Sequence, residues 1–216
     1  MKNNLPPSLR AKNITHSICI ICEGHEEYDY LTKLKSLNVW NEKYEVNLYN
    51  AEGNGNIPAI YQDKYQNGSC EVVFAFCDTD GNPYEAYEII KAKINAFHGN
   101  GTAADSVLIF GNPCTMQIMA LHWEDVKLTS HKKEDNAALI KKHTSVKNYS
   151  AKDSQREALV NTITLENYNE MKSRVTKIPS DDTVCGSSNF DKLLNYLSSD
   201  DTGWIEAVNN VIDTEG

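Results

Sequence analysis

No apolar run in this chain of 216 residues comes near the roughly 20 residues that a membrane-spanning helix needs. The first apolar run, residues 18–22, is too short for the core of a secretory signal, and the opening MKNNLPPSLRAKN is polar. A cytoplasmic protein without membrane association is therefore the expectation. Six cysteines stand at positions 19, 22, 70, 77, 114 and 185, with one CxxC pair and no second pair at zinc-ligand spacing. In a strand, Cys19 and Cys22 face opposite sides, so buried free thiols are expected rather than a zinc site. Walker and Rossmann glycine spacings are missing too; the glycines of AEGNGNIP read as a flexible turn. No internal repeat is visible.

Positive charge is scarce, and what there is clusters. The net charge is −9, which argues against a general nucleic-acid binder. Residues 1–126 hold 9 basic against 16 acidic side chains, and residues 178–216 hold 1 against 8. Residues 127–177 reverse the balance with 11 against 6. This block includes Lys132, Lys133, Lys141, Lys142, Lys147 and Arg156. Its plainest reading is a solvated helical surface. Its other reading is the phosphate-contacting part of a site whose remaining residues are acidic.

The composition, 40% hydrophobic and 24% charged, is that of a protein able to bury a core. Apolar runs at 18–22 and 72–77 read as buried strands, with further strands at 44–49 and 106–110. Helices are predicted over 26–37 and 57–65. A third is expected to open at Pro83 and run to about residue 97, with Ala86, Ile89, Ile90 and Ile94 spaced for burial. Four strands without alternation, separated by helices, predict an α/β fold with a four-stranded parallel sheet flanked by helices. After Pro113 the pattern is mainly helical. The expected organisation is an N-terminal arm (residues 1–15), an α/β domain (16–125) and a helical C-terminal region (126–216) packed on it.

Two of the buried strands end in acid. The first runs into Glu23-Gly24 and then Glu26 and Glu27; the third runs into Asp78-Thr79-Asp80. In an open parallel sheet the carboxyl ends of the strands line the ligand crevice. Residues two apart on an extended segment point the same way, so Asp78 and Asp80 can face one ion. Carboxylates gathered there repel one another, and a hard cation such as Mg²⁺ relieves that repulsion. The structural alternative is that Asp-Gly-Asn-Pro makes a turn and a helix cap. Glu27 likewise has two readings, a site accessory or an acid favoured at a helix N-terminus. Asn112-Pro113 reads first as strand-exit geometry, and His122, beside Trp123, as a packed core histidine.

An apolar strand ending in Glu-Gly, followed by one ending in DxD, resembles the Toprim domain of primases, topoisomerases and certain nucleases. A nearer resemblance is to RloB-like proteins, Toprim relatives of about this length found with bacterial restriction and defence loci. Their opening Cys-Glu-Gly-x-Thr-Glu stands here as Cys22-Glu23-Gly24-His25-Glu26-Glu27, with Glu26 in place of threonine. That change touches helix capping more than chemistry. Their SNPCFExWxxxH motif matches at Asn112, Pro113, Cys114 and His122, while Thr115-Met116 replaces Phe-Glu and Ile118 replaces Trp. The likeness covers residues 16–125. It implies a Mg²⁺- or Mn²⁺-dependent nuclease in which Asp78 and Asp80 hold the metal and Glu23 acts as acid/base or further ligand. Glu27 is then an accessory and Gly24, Asn112 and His122 are site neighbours. Lys132, Lys133, Lys141 and Lys142 are expected to contact substrate. The lost Phe-Glu pair favours a second reading, a non-catalytic or partner-dependent defence subunit that binds nucleic acid or another protein. A phosphatase or nucleotide-binding enzyme on a related sheet is a weaker third.

Overall fold

The computed structural model describes residues 15–81 and 84–213. Almost all of the N-terminal arm, and Pro83 at the expected helix start, lie outside them. Strands β1 (His16–Cys22), β2 (Tyr44–Asn50), β3 (Val72–Asp78) and β4 (Leu108–Asn112) form the expected parallel sheet, in the order β2-β1-β3-β4. Residues 18–22 of β1 are wholly buried, and so is β3 up to Cys77. Covered on both faces, these strands have no solvent side to encode, which explains their unbroken apolar runs.

Helix α1 (His25–Ser36) joins β1 to β2, and α2 (Ile57–Gln66) carries the chain back across β1 to β3. Then α3 (Glu85–His98) and α4 (Ala103–Val107) lead to β4. Right-handed crossovers to opposite sides of β1 put α1 and α2 on opposite faces of the sheet. Tyr30 of α1 packs on one face with Phe76 and Phe190. On the other, Tyr61 of α2 meets Phe97 of α3 edge-on.

The structure differs from expectation in four places. A fifth strand, β5 (Ser187–Ser188), pairs antiparallel with β4, so the C-terminal region is not purely helical. No two-residue strand carries a periodic signal. β4 begins at Leu108 rather than 106, because Asn95 Oδ1 accepts the Ala104 N–H and Asn100 Oδ1 the Thr102 N–H, which starts a helical turn. Ile89 is 53% exposed; the buried stripe of α3 runs through Tyr87, Ile90 and Ile94. Cys19 and Cys70 are joined in a disulfide, where free thiols were expected. The chain entering β3 lies along β1, with the Glu71 N–H on Ser17 O, and brings the two Cα atoms to 5.8 Å, within disulfide reach. Cys22, Cys77 and Cys114 are free and buried.

After β4 come α5 (Met116–Ala120), α6 (Lys133–His143), α7 (Asp153–Val160) and α8 (Leu165–Val175), then α9 (Phe190–Ser198) and α10 (Gly203–Asp213). α9 buries Phe190, Leu193, Leu194 and Leu197, an i, i+3, i+4, i+7 stripe. α10 closes the amino edge of the sheet: Trp204 stacks on Tyr196 and bonds the Tyr44 hydroxyl, Asn209 bonds Glu71 O, and Asp213 accepts from Tyr65. The opposite, carboxyl edge is left for the site. There the connection from β1 turns toward β2 and that from β3 toward β4, so the crevice falls between the ends of β1 and β3. No helix among the described residues is long and apolar enough to cross a membrane.

Candidate active site

Glu23 sits at the head of this crevice. Its N–H continues the sheet ladder to Phe76 O at 2.9 Å, while its Oε2 accepts the Asp78 N–H at 3.0 Å. The adjacent strand ends are thus tied by the very carboxylate that faces the crevice. Gly24 caps α1 in extended conformation and donates its N–H to Glu27 Oε2 at 2.9 Å. That is the helix-terminus role weighed for Glu27, and the same side chain also lines the crevice.

β3 ends at Asp78, and the alternation argument ends with it. Thr79 N–H donates to Gly111 O, and Asp80 turns into the left-handed region at φ 58°. This is a conformation that aspartate tolerates better than most residues. Asp78 and Asp80 still open into the same cavity, brought there by a turn rather than by strand pleat. On the next strand a Cβ at Gly111 would lie 2.8 Å from the Cys114 carbonyl carbon. A side chain there would block the chain from folding back over β4. With glycine it folds back, and both the N–H and Oγ1 of Thr115 donate to Asp78 Oδ1, at 2.6 and 2.8 Å.

The resulting cavity, about 420 Å³, is lined by Glu23, Glu27, Asp78 and Asp80 on the sheet side. The basic block supplies the facing wall: His131, Lys133, Tyr149 and Arg156. Three contacts anchor that wall on α1. Lys133 pairs with Glu26, the Tyr149 hydroxyl donates to Glu26 Oε1 at 2.7 Å, and Arg156 Nε donates to Asp29 Oδ2 at 2.7 Å. Arg156 also holds Ala151 O and Asp153. Glu26 therefore does more than cap a helix. A Cβ on Gly81 would meet the His131 ring at 2.9 Å, so the imidazole lies directly against the DxDG turn.

Burial, and after it Glu27 and Asp80, pushes the Glu23 carboxyl from its ordinary value up to about 7, against the lowering bond from Asp78. Burial, then Glu27 and Glu23, raises Asp78 well above the carboxylate range, and burial also raises Glu27. Carboxyls whose negative charge is disfavoured by burial, and further by one another, are the donor set a hard divalent cation fits. Asp78 makes both its Thr115 bonds through Oδ1 and Glu23 its Asp78 bond through Oε2, which leaves Oδ2 and Oε1 for such an ion. Among the described residues no three His, Cys, Asp or Glu side chains already converge on one point. A cation would have to draw them together.

Some expected neighbours lie elsewhere. His122 is 2% exposed and held between the Tyr30 hydroxyl and Asn167 Oδ1, at 3.0 and 3.2 Å, away from the cavity lining. Asn112 is wholly buried, its Nδ2 donating to Asp182 O at 2.7 Å while its Oδ1 has no partner. Of the four lysines only Lys133 lines the cavity; Lys142 pairs with Glu124 on the outer surface, and Lys132 and Lys141 are exposed. The roles of Thr115, Glu26, His131 and Tyr149 went unread. Thr115 and Glu26 stand out only as departures from motifs, and His131 and Tyr149 reach the site through folding that no local spacing records. No protein-family model, no curated protein and no solved structure matches this chain.

Proposed function

We propose that this cavity is the site of a divalent-metal-dependent nuclease of Toprim type, hydrolysing nucleic-acid phosphodiesters. The observation that carries the reading is the Glu23–Asp78 pairing across β1 and β3, at the strand-order reversal, in a cavity whose other wall is basic. Asp78 and Asp80 would hold Mg²⁺ or Mn²⁺, which when bound neutralises phosphate charge and lowers the pKa of an attacking water. Glu23, with its carboxyl near neutrality, is suited to take up and return a proton. Thr115 positions Asp78. Lys133 offers the phosphate a counter-charge once it leaves Glu26. The likeness to RloB-like proteins supports a cytoplasmic role in bacterial antiviral defence.

One observation favours a partner-dependent subunit instead. Lys133 and Arg156 are already paired with Glu26, Asp29 and Asp153, so the basic wall is neutralised until something competes for it. A second defence protein would be such a competitor. The deciding experiment is metal-dependent cleavage of single- and double-stranded DNA and RNA by the wild type and by Glu23→Gln. Cleavage by the wild type alone supports the nuclease. Binding without cleavage in any metal supports the subunit.

A further inference from the structure

We propose that His25 is a phosphate-contacting residue of this site, a neutral imidazole whose Nε2–H donates to a non-bridging phosphate oxygen, and that Asn50 positions it. The inference rests on the phosphodiesterase reading for the phosphate and goes beyond it in assigning the residue that holds it.

The carboxylates that line the cavity accept hydrogen bonds, whereas a phosphate oxygen needs donors. Most donors in the lining are already committed. The Gly24 N–H is held by Glu27, Thr115 by Asp78 and the Tyr149 hydroxyl by Glu26. Asn136 Nδ2 donates to Ser130 O, and Lys133 and Arg156 are paired with carboxylates. Two imidazoles remain, His25 and His131, both exposed and both in the cavity lining. Nothing among the described residues bonds either nitrogen of His131, so nothing there fixes which of them carries the proton.

His25 is different. Asn50, at the end of β2, accepts the Glu52 N–H on Oδ1 at 2.9 Å, which fixes its amide and turns Nδ2 to His25 Nδ1 at 3.1 Å. An amide nitrogen only donates, so Nδ1 accepts, and the neutral ring carries its proton on Nε2. That Nε2 has no partner among the described residues. The loop after Asn50 is itself tied to the site, with the Ala51 N–H on Cys22 O and the Gly53 N–H on Glu23 O, each at 2.8 Å. A donor of fixed tautomer thus stands two residues from Glu23, fastened to the strand end beside it.

The test separates the two ends of the ring. Asparagine places its side-chain oxygen as many bonds from Cα as Nδ1, and glutamine its side-chain nitrogen as many as Nε2. His25→Asn therefore keeps an acceptor for Asn50 and loses the outer donor, while His25→Gln keeps the outer donor. Affinity of the whole chain for single-stranded DNA and RNA oligonucleotides is measured in Ca²⁺, alongside melting temperature and cleavage in Mg²⁺ or Mn²⁺. The expected result is about tenfold weaker binding by His25→Asn at an unchanged melting temperature, with His25→Gln within about threefold of the wild type. The same order is expected in KM. In nitrogen NMR of the histidine-labelled wild type, the His25 Nε2 signal is expected to move on adding oligonucleotide and the Nδ1 signal to stay. His25→Asn binding as well as the wild type, His25→Gln binding no better than His25→Asn, or an unmoved Nε2 signal would overturn the inference, and wild-type cleavage would leave the nuclease reading standing. The expected binding pattern without cleavage in any metal would keep the inference and remove the nuclease. Neither binding nor cleavage would remove both.

Discussion

Helix α1 enters two buried polar clusters within little more than a turn, and they are built on opposite principles. Tyr30 faces His122, which is satisfied on both nitrogens: Nε2 accepts the Tyr30 hydroxyl, and Nδ1 donates to Asn167 Oδ1. Asn167 in turn caps α8 and bonds Thr162 O. One turn earlier, Glu26 and Glu27 face Glu23 and Asp78, where donors are few and like charges crowd. Both clusters shift proton affinities by burial. In the first, every polar atom has a complementary partner and the shift simply keeps a histidine neutral, at about 4. In the second, the groups oppose one another, and relief has to come from outside the chain. Burial with complementarity marks a structural cluster; burial with conflict marks a site.

The sharpest way to break this distinction is to exchange the consequences. On the proposed nuclease reading, Glu23→Gln removes the group proposed to carry the proton and is expected to lower metal-dependent cleavage by about 10²–10⁴-fold. It is also expected to leave the metal-free melting temperature unchanged or higher, since a repelling charge is lost. A variant that keeps its activity while losing stability would place Glu23 with the structural cluster. His122→Phe is the mirror case. It strands the Tyr30 hydroxyl in the core and takes one donor from Asn167 Oδ1, which keeps the Thr164 N–H, and is expected to cost about 1–3 kcal/mol in denaturant unfolding. Metal binding by that variant, measured by calorimetry, is expected to match the wild type.

The two clusters also pull stability in opposite directions with pH. Glu23 has a folded pKa raised to about 7. Its contribution is full below the unfolded value near 4.5 and is lost as pH rises through 7. His122 has a folded pKa lowered to about 4. Its contribution is full above the unfolded value near 6.5 and is lost as pH falls through 4. Each spans about 3 kcal/mol at most over pH 4–7. Asp78 and Glu27 are raised by burial as well and add to the Glu23 slope, so chemical denaturation is expected to show wild-type stability falling as pH rises. Glu23→Gln is expected to make that fall shallower, and His122→Phe to make it steeper. Saturating Mg²⁺ is expected to reduce the fall in the wild type and in His122→Phe. Parallel profiles for both variants would show that the clusters do not differ in this way.

How far the sequence reveals each cluster depends on what carries the signal. The strands were legible because a strand buried on both faces needs an unbroken apolar run, as residues 18–22 and 72–77 have. The convergence of Glu23 and Asp78 was legible because strand ends in a parallel sheet share an edge. Asp80 lines the cavity through a left-handed turn and not through the strand pleat expected of it. Glu26, Tyr149 and Lys133 were not legible as a group, because their contacts span 107 and 123 residues and have no local spacing to betray them. The same holds for β5 and for the Cys19–Cys70 pairing. The core setting of His122 was the plainer of its two sequence readings, but its partner Asn167 lies 45 residues away and left no trace.

A milder probe of the conflicted cluster is Asp80→Asn. It relieves repulsion on Glu23 without touching the Thr115 bonds of Asp78, so it is expected to stabilise the metal-free protein by about 1 kcal/mol or less. It is also expected to reduce the melting-temperature gain from Mg²⁺. A wild type that gains nothing from several mM Mg²⁺, with Asp80→Asn no different, would count against a metal on these carboxylates.

The smallest expected effect separates lysines that share a sequence block but not a place. Lys133 lines the cavity, whereas Lys142 is paired with Glu124 and Lys141 is exposed, both outside the lining. If phosphate is bound at the cavity, the salt dependence of nucleic-acid affinity in Ca²⁺ should follow Lys133 and ignore the other two. Each phosphate neutralised contributes about −0.7 to −0.9 to the slope of log affinity against log salt. Lys133→Ala is expected to make the slope shallower by up to about one such unit for every sequence alike. The Lys141→Ala, Lys142→Ala double variant is expected to leave it unchanged, although it removes twice the charge. The contrast matters more than either value. Were net charge of the basic block the cause of binding, the double variant would lose the more. A slope that falls with Lys141 and Lys142 but not with Lys133 would move the substrate from the cavity to the outer face of α6, and would separate the basic wall from the carboxylates it faces.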